Sequence, residues 1–221
     1  MYVAVVEGSV LDKGKDPASL GRCIKALEAR GGTIMAPDSP SKLRHPVSAL
    51  AYMWHPEYLS IVLDHVPFHF PLVDYAGTST TMSLGALYQY PVHCALIALR
   101  KHVLKVAPAD PLLLRTLRVL LEHGFEPNER LDARAFGLEK TSLDEFVGFA
   151  PFQILSLVAL EFESGKEDLD SAVLESNASL VGEVAEFLVM NGARLSLEPP
   201  LAERLRRKSE GDASSGGRRH V

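Results

Sequence analysis

Apolar residues recur at three- and four-residue spacing along most of this chain, which is the spacing of one side of an α-helix. Many of these segments open on a proline, and several close on a polar turn that contains glycine. Proline is favoured at the first position of a helix, and glycine readily takes the left-handed conformation that ends one. The pattern therefore predicts pairs of helices. Only the short β-branched segment at residues 1–10 also allows a strand.

The helical pairs form units that repeat along the chain. The predicted units cover residues 45–66, 90–128 and 150–195, and a partial unit with one helix and its turn covers residues 17–32, opening at Asp16 and Pro17. The length of a unit can be counted from its leading proline to the residue just before its closing turn. This separation is 19 positions in the first unit, 32 in the second and 40 in the third. We therefore expect long inserts between the two helices of the second and third units.

Helical pairs of this kind cannot bury their apolar sides alone, so repeated pairs stack on one another. The predicted fold is all-α: an α-solenoid of stacked helix-turn-helix units over residues 1–208. A basic segment at residues 199–208 is expected to form a capping helix. Residues 209–221 contain too little apolar surface to fold and are expected to be a disordered tail.

Two further local patterns give expectations within these units. Residues 142–145 match a capping box, which predicts a helix start just before Phe146 and Val147. Residues 164–176 are acidic and polar, so they are expected to form a loop or a frayed helix end.

The openings and closings of the units resemble those of the ankyrin repeat. That family opens on Thr-Pro-Leu-His and closes on Gly-Ala-Asp-x-Asn. This chain keeps the histidine as His93, and the glycine and asparagine as Gly124 and Asn128. The pattern is diverged elsewhere, because Ser48 and Gln153 replace the histidine in the other units. The resemblance implies a stacked helical fold that binds another protein.

Ankyrin repeats contact their partners through the loops between repeats and the concave face of the inner helices. By position, those loops are residues 33–45, 66–89 and 129–149. The aromatic protein-binding candidates are Tyr52, Trp54, Phe68, Phe70, Tyr75 and Tyr88. Trp54 stands where the family has glycine, so it is either an exposed binding residue or a buried residue between units. Its aromatic neighbours favour burial.

We expect a non-catalytic protein–protein interaction module with no cofactor or metal. The loose spacing is also similar to ankyrin regions of large fungal regulatory proteins, some of which follow a nucleotide-binding module. A regulatory or sensor segment separated from a larger signalling NTPase is therefore the alternative function. A small all-α enzyme that uses Cys94 with a histidine is a third hypothesis.

Two pairs of residues resemble catalytic or metal sites. His93 and Cys94 are adjacent, but neighbours in a helix point about 100° apart, which disfavours a catalytic cysteine–histidine pair. The resemblance to the ankyrin repeat implies instead that His93 is bonded to nearby backbone, with Cys94 packed in the core. His65 and His69 have the spacing of helical metal ligands, yet Pro67 interrupts the helix, so both are expected to be surface loop histidines.

A phosphate-binding loop is also disfavoured. Five residues separate Gly8 from Gly14, where that motif requires four, and Asp16 stands where it requires serine or threonine. We expect a polar linker instead.

Composition narrows the partners and the compartment. The net charge of −5 argues against broad nucleic-acid binding, and no apolar segment has the length of a membrane span. Cys23 and Cys94 lie in apolar helical segments and are expected to be core residues in a reducing compartment. The cytoplasm is expected, with the nucleus as the alternative because of the basic residues 204–208. The sequon at Asn177 is expected to be unused.

Overall fold

The computed structural model describes residues 16–30, 46–65, 90–103, 111–131, 146–165 and 170–195. Within these ranges the chain forms seven α-helices, and no strand occurs. The helices are α1 (Pro17–Glu28), α2 (Pro46–Tyr52), α3 (Pro56–Leu63), α4 (Pro91–Val103), α5 (Leu112–Glu122), α6 (Pro151–Gly165) and α7 (Ser171–Met190). The all-α class is confirmed for the part of the chain that the structure describes.

The helices pack in two rows. The first row contains α2, α4 and α6 side by side, and the second row contains α1, α3, α5 and α7. Each helix of the first row also packs on the helix that follows it in the chain: α2 on α3, α4 on α5, and α6 on α7. The apolar core lies between the two rows.

Three helices end in the same type of turn. The residue in the left-handed conformation is Trp54 after α2, Gly124 after α5 and Gly192 after α7, with φ of 54°, 86° and 88°. The backbone bonds that close these turns run from the N–H of His55 to the carbonyl of Leu50, from Phe125 to Leu120 and from Ala193 to Leu188. Glycine adopts this φ without steric cost, whereas Trp54 is strained there.

Two aspartates begin helices. Asp16 accepts a hydrogen bond from the N–H of Ala18 at 3.1 Å, as the acidic opening of the partial unit predicts. Asp170 caps α7 in the same way, accepting from the N–H of Ala172 at 2.8 Å. Residues 164–165 end α6 and residues 171–176 begin α7, so of the two alternatives for residues 164–176 the loop is wrong at these positions, where helix ends are found. Ser171 and Glu175 lie on the exposed side of the first turns of α7, whereas residues 166–169 lie outside the described residues.

The extra length of the third unit lies in its helices. Helices α6 and α7 contain 15 and 20 residues, whereas α2 and α3 contain 7 and 8. Only the five residues 166–170 separate α6 from α7. The prediction of a long insert between these helices is therefore wrong. It failed because polar residues on the exposed surface of a helix have the same composition as a loop.

Residues 146–150 form a turn before α6. Phe146 and Phe149 are buried, and Gly148 has a φ of 81°. The N–H of Leu131 donates to the carbonyl of Phe149 at 3.0 Å, and the N–H of Gly148 donates to the carbonyl of Leu131 at 2.8 Å. Residues 146–150 are therefore not part of an α-helix, since these backbone groups bond across to the turn that follows α5.

Several expectations fall outside the described residues. These are the linker at Gly8 and Gly14, the turn at residues 31–32, the capping box at residues 142–145, the capping helix at residues 199–208 and the tail at residues 209–221. Among the described helices, none combines the length and apolar character needed to span a membrane.

Candidate interaction surface

Trp54 is a packing residue between α2 and α4. Its side chain is 6 % exposed, and its indole Nε1 donates to the carbonyl of Ala95 at 3.1 Å. The ring also lies 5.0 Å from the ring of His102, between centroids. Of the two alternatives for Trp54, burial between units is confirmed.

Of the other aromatic candidates, Tyr52 is the one that lies within the described residues. Tyr52 is half-buried at the end of α2, beside Met53, which is 38 % exposed. Phe68, Phe70, Tyr75 and Tyr88 lie outside the described residues. Tyr52 is therefore the candidate in the described ranges that keeps part of its side chain at the surface.

Helix α4 contributes little to an exposed concave surface. Residues 91–99 are all buried. Consecutive residues of a helix point in every direction around its axis over such a length. Over these residues α4 therefore presents no exposed side chain to a partner, and contacts must come from elsewhere.

His93 is held by the turn that precedes α6. It is 1 % exposed, and its Nε2 donates to the carbonyl of Phe149 at 3.0 Å. Burial lowers the pKa of His93 to about 4, although the carbonyl of Phe149 favours the protonated form. The imidazole is therefore neutral at pH 7 with its proton on Nε2. The backbone of Glu129 also favours the protonated form of His93, although Nδ1 makes no hydrogen bond of normal geometry with the described residues. The predicted bond from this histidine to nearby backbone is confirmed.

Cys94 lies in the core between α2 and α4, as expected. Burial raises the pKa of its thiol to about 12, and a hydrogen bond with Ser48 only partly opposes this. The thiol is protonated at neutral pH in this structure, so it lacks the thiolate that a nucleophile needs.

The prediction that Cys23 is a core residue is wrong, because its side chain is exposed. Helix α1 buries Leu20 and Ile24, which are four residues apart and lie on one side. Cys23 points about 100° away from Ile24 on that helix, so it falls outside the buried side.

His65 is less exposed than a surface loop histidine would be. Its side chain is 16 % exposed, and its Nδ1 lies 3.2 Å from Oε2 of Glu28 at the end of α1. His69 lies outside the described residues. The described ranges contain no cluster of three side chains able to hold a metal ion.

Polar side-chain contacts also join helices of neighbouring units, and the sequence patterns did not predict these contacts. Arg100 of α4 forms two hydrogen bonds with the carboxylate of Glu161 in α6, at 2.6 and 2.8 Å. Its guanidinium also lies over the ring of Phe146, 5.4 Å from the centroid. In the second row, Arg115 of α5 lies 2.6 Å from Glu57 of α3. Each pair joins residues far apart in the chain, so no local pattern indicates it.

Asn177 of the sequon is fully buried in α7. Glycosylation needs an accessible asparagine, so the folded chain does not offer this one for modification.

Comparison with known proteins gives no relative. No family model matches the chain, and neither the curated proteins nor the solved structures contain a significant match. The function proposed below therefore depends on the sequence and on the arrangement of the helices.

Proposed function

We propose that this chain is a non-catalytic protein–protein interaction module, an α-solenoid of ankyrin-like repeats. The observation that carries the proposal is the alternation of helices from α1 to α7. Successive helices lie alternately in the second and the first row, which is the order that stacked helix-turn-helix units require. Within each row, neighbouring helices are in contact. In a stack, each unit contacts its neighbours along the chain, and the rows follow this rule.

Equivalent positions in the three units support the same proposal. The residue two positions after each leading proline is polar and buried in every unit: Ser48, His93 and Gln153. His93 bonds to the backbone of Phe149, and Gln153 accepts from the N–H of Ala150 at 2.8 Å. A buried polar residue needs a hydrogen-bond partner, so this recurrence reflects a shared local geometry.

The proposed partner is another protein, and the proposed contacts are the loops at one end of the rows. Residues 91–99 of α4 are buried, so we assign most of the contact to residues 33–45, 66–89 and 129–149. Tyr52 stands at the end of α2 and would contribute from the first row. Aromatic side chains suit this role because they dominate binding energy at protein interfaces.

The test is affinity capture with the full chain as bait and two variants of it. The contact variant Tyr52→Ala/Phe68→Ala/Phe70→Ala removes aromatic groups from the proposed surface. The control variant Arg118→Ala/Glu175→Ala/Glu186→Ala removes exposed side chains of α5 and α7.

We expect a protein that the wild-type chain and the control variant both retain and that the contact variant loses. Circular dichroism must show equal helix content in all three baits. A protein lost from the control variant but kept by the contact variant would move the binding surface to the second row. Equal retention by all three baits would remove the loops from the proposal.

A further inference from the structure

The side chain of His123 joins the end of α5 to the end of α3. His123 is the C-terminal cap residue of α5, and its Nε2 lies 3.4 Å from Oδ1 of Asp64, the C-terminal cap residue of α3. Its Nδ1 lies 2.7 Å from the carbonyl oxygen of Val119, one turn earlier in α5. Both ring nitrogens of His123 therefore face an oxygen atom.

These two contacts determine which protonation state of His123 fits the structure. A carbonyl oxygen only accepts hydrogen bonds, so Nδ1 must carry a proton to bond to Val119. A neutral imidazole has one N–H, which leaves a lone pair on Nε2 opposite the ionised carboxylate of Asp64. The imidazolium donates from both nitrogens. The doubly protonated ring is therefore the form that satisfies both contacts.

The end of α7 supports this assignment of the Nδ1 proton. Asn191 caps α7 as His123 caps α5, and its Nδ2 donates to the carbonyl of Phe187, four residues earlier, at 2.8 Å. Val119 likewise lies four residues before His123. The amide nitrogen of asparagine is always a donor, so the equivalent nitrogen of His123 occupies a donor position.

A contact of the same kind joins the preceding pair of helices in the second row. Nδ1 of His65, just after α3, lies 3.2 Å from Oε2 of Glu28 at the end of α1. In both contacts, a histidine at the end of one helix reaches a carboxylate at the end of the helix before it. A cation is also favoured at a helix C-terminus, where carbonyl groups without helical partners concentrate negative charge.

Other titratable residues lie at the same end of α5 or of the helices packed against it: His65, His93, Glu122, Glu126, Glu186 and Arg194. The negative charges of Glu122 and Glu126 favour the imidazolium of His123, and the positive charge of Arg194 opposes it. Solvent screens these charges, whereas Asp64 is in direct contact with the ring. Asp64 therefore has the largest effect on the protonated form.

We propose that His123 is a pH-dependent link between the first and second units. Histidine ordinarily takes up a proton near pH 6.5. Below this pH, the imidazolium donates to Val119 and Asp64 at once and ties α5 to α3. Above it, His123 keeps the bond to Val119 and loses the bond to Asp64. The stability that the link adds is therefore present in mild acid and is lost as the pH rises.

A double-mutant cycle in the full chain tests the link at two pH values. His123→Asn keeps the bond to Val119, as the asparagine that caps α7 does, but does not titrate. Asp64→Asn removes the negative charge. Urea unfolding of the wild type, the two single variants and the double variant gives the coupling between these residues. Because His93 is present in all four chains, its own titration cancels.

We expect the coupling to stabilise the fold about two- to fivefold in the unfolding equilibrium constant at pH 5.5, the range that exposed ion pairs give. At pH 8 no favourable coupling should remain. The ion pair of Arg115 with Glu57 is the matched control, because it joins the same two helices, and arginine and glutamate both stay charged between pH 5.5 and 8. The cycle of Arg115→Gln and Glu57→Gln should give the same coupling at both pH values.

Two results would overturn the proposal. Equal favourable coupling of His123 with Asp64 at pH 5.5 and pH 8 would place the proton of the neutral ring on Nε2, so the link would not depend on pH. An absence of coupling at both pH values would show that the contact does not tie α5 to α3.

Discussion

The carboxamide of Asn128 donates a hydrogen bond to the carbonyl of Gly192 at 2.8 Å, across 64 positions of sequence. Its Oδ1 also accepts from the N–H of Arg194 at 2.7 Å. One side chain after α5 therefore fixes the backbone of the turn after α7. This contact joins two successive units of the second row through the one closing turn that keeps both the glycine and the asparagine of the ankyrin pattern.

Asn128→Ala should destabilise the chain by about 1–2 kcal/mol, because it removes two hydrogen bonds between units. Asn128→Asp keeps the acceptor for Arg194 but loses the donor to Gly192, so its stability should fall between those of wild type and Asn128→Ala. Urea unfolding followed by circular dichroism measures both. Equal stability of Asn128→Ala and the wild type would show that the bridge contributes nothing.

Two glycines with open surroundings should respond to alanine in opposite directions. No described atom lies within 4 Å of a Cβ built on Gly182 or Gly192, but Gly192 has a φ of 88° and Gly182 lies inside α7. Gly192→Ala should cost about 1 kcal/mol from backbone strain, because an alanine there is held in the left-handed region. Gly182→Ala should stabilise by about 0.5–1 kcal/mol, because alanine restricts the unfolded chain and favours helix.

Thermal unfolding of the two glycine variants checks both signs at once. A stabilised Gly192→Ala would contradict the left-handed turn after α7. A destabilised Gly182→Ala would contradict the open, helical position of Gly182.

His93 should make the fold sensitive to acid. Its folded pKa is about 4 and its ordinary pKa is 6.5. Above pH 6.5 it is neutral in both states and adds no pH dependence. As the pH falls from 6.5 to 4, the unfolded chain takes up a proton that the folded chain does not. Stability should therefore fall over this window by about 3 kcal/mol from this residue.

Comparison with His93→Gln isolates that contribution. Glutamine does not titrate, and Gln153 occupies the equivalent position in the third unit. The difference in unfolding free energy between wild type and variant should shrink or reverse from pH 7 to pH 4, whatever its value at pH 7. A constant difference would show that His93 titrates alike in both states.

The sequence predicted the helix starts better than the helix lengths. The starts of α2, α4 and α6 could be predicted because proline is compatible with the first turn and with few positions beyond it. The lengths of α6 and α7 could not, since their polar residues suit a loop and an exposed helix surface equally. The side on which Cys23 lies, and the pairing of Arg100 with Glu161, depend on which helices become neighbours. Local spacing does not contain that information.

Features of the candidate interaction surface also divide into those that the sequence could predict and those that it could not. Trp54 stands where the family has glycine and has a φ of 54°, but the prediction made for this position concerned its exposure and not its backbone conformation. Its hydrogen bond to Ala95 depends on the packing of α2 against α4, which the residues around Trp54 do not specify. The complete burial of residues 91–99 could have been predicted, because all of them except His93 are apolar and a helix that is apolar on every side is buried.

Thr116 should limit the stability of the second row. It is fully buried in α5, and its hydroxyl has no hydrogen-bond partner among the described residues. A buried polar group without a partner costs about 1–3 kcal/mol, and an apolar group of the same shape avoids that cost. Thr116→Val should therefore raise the unfolding free energy by about 1 kcal/mol.

Thr116→Ser provides the matched control, because it keeps the hydroxyl and removes the methyl group. It should lower stability by about 1 kcal/mol through lost burial of that methyl group. Urea unfolding at pH 7 compares the two variants with the wild type. If Thr116→Val is the less stable variant, the hydroxyl makes a stabilising bond, and α5 packs differently from the arrangement described above.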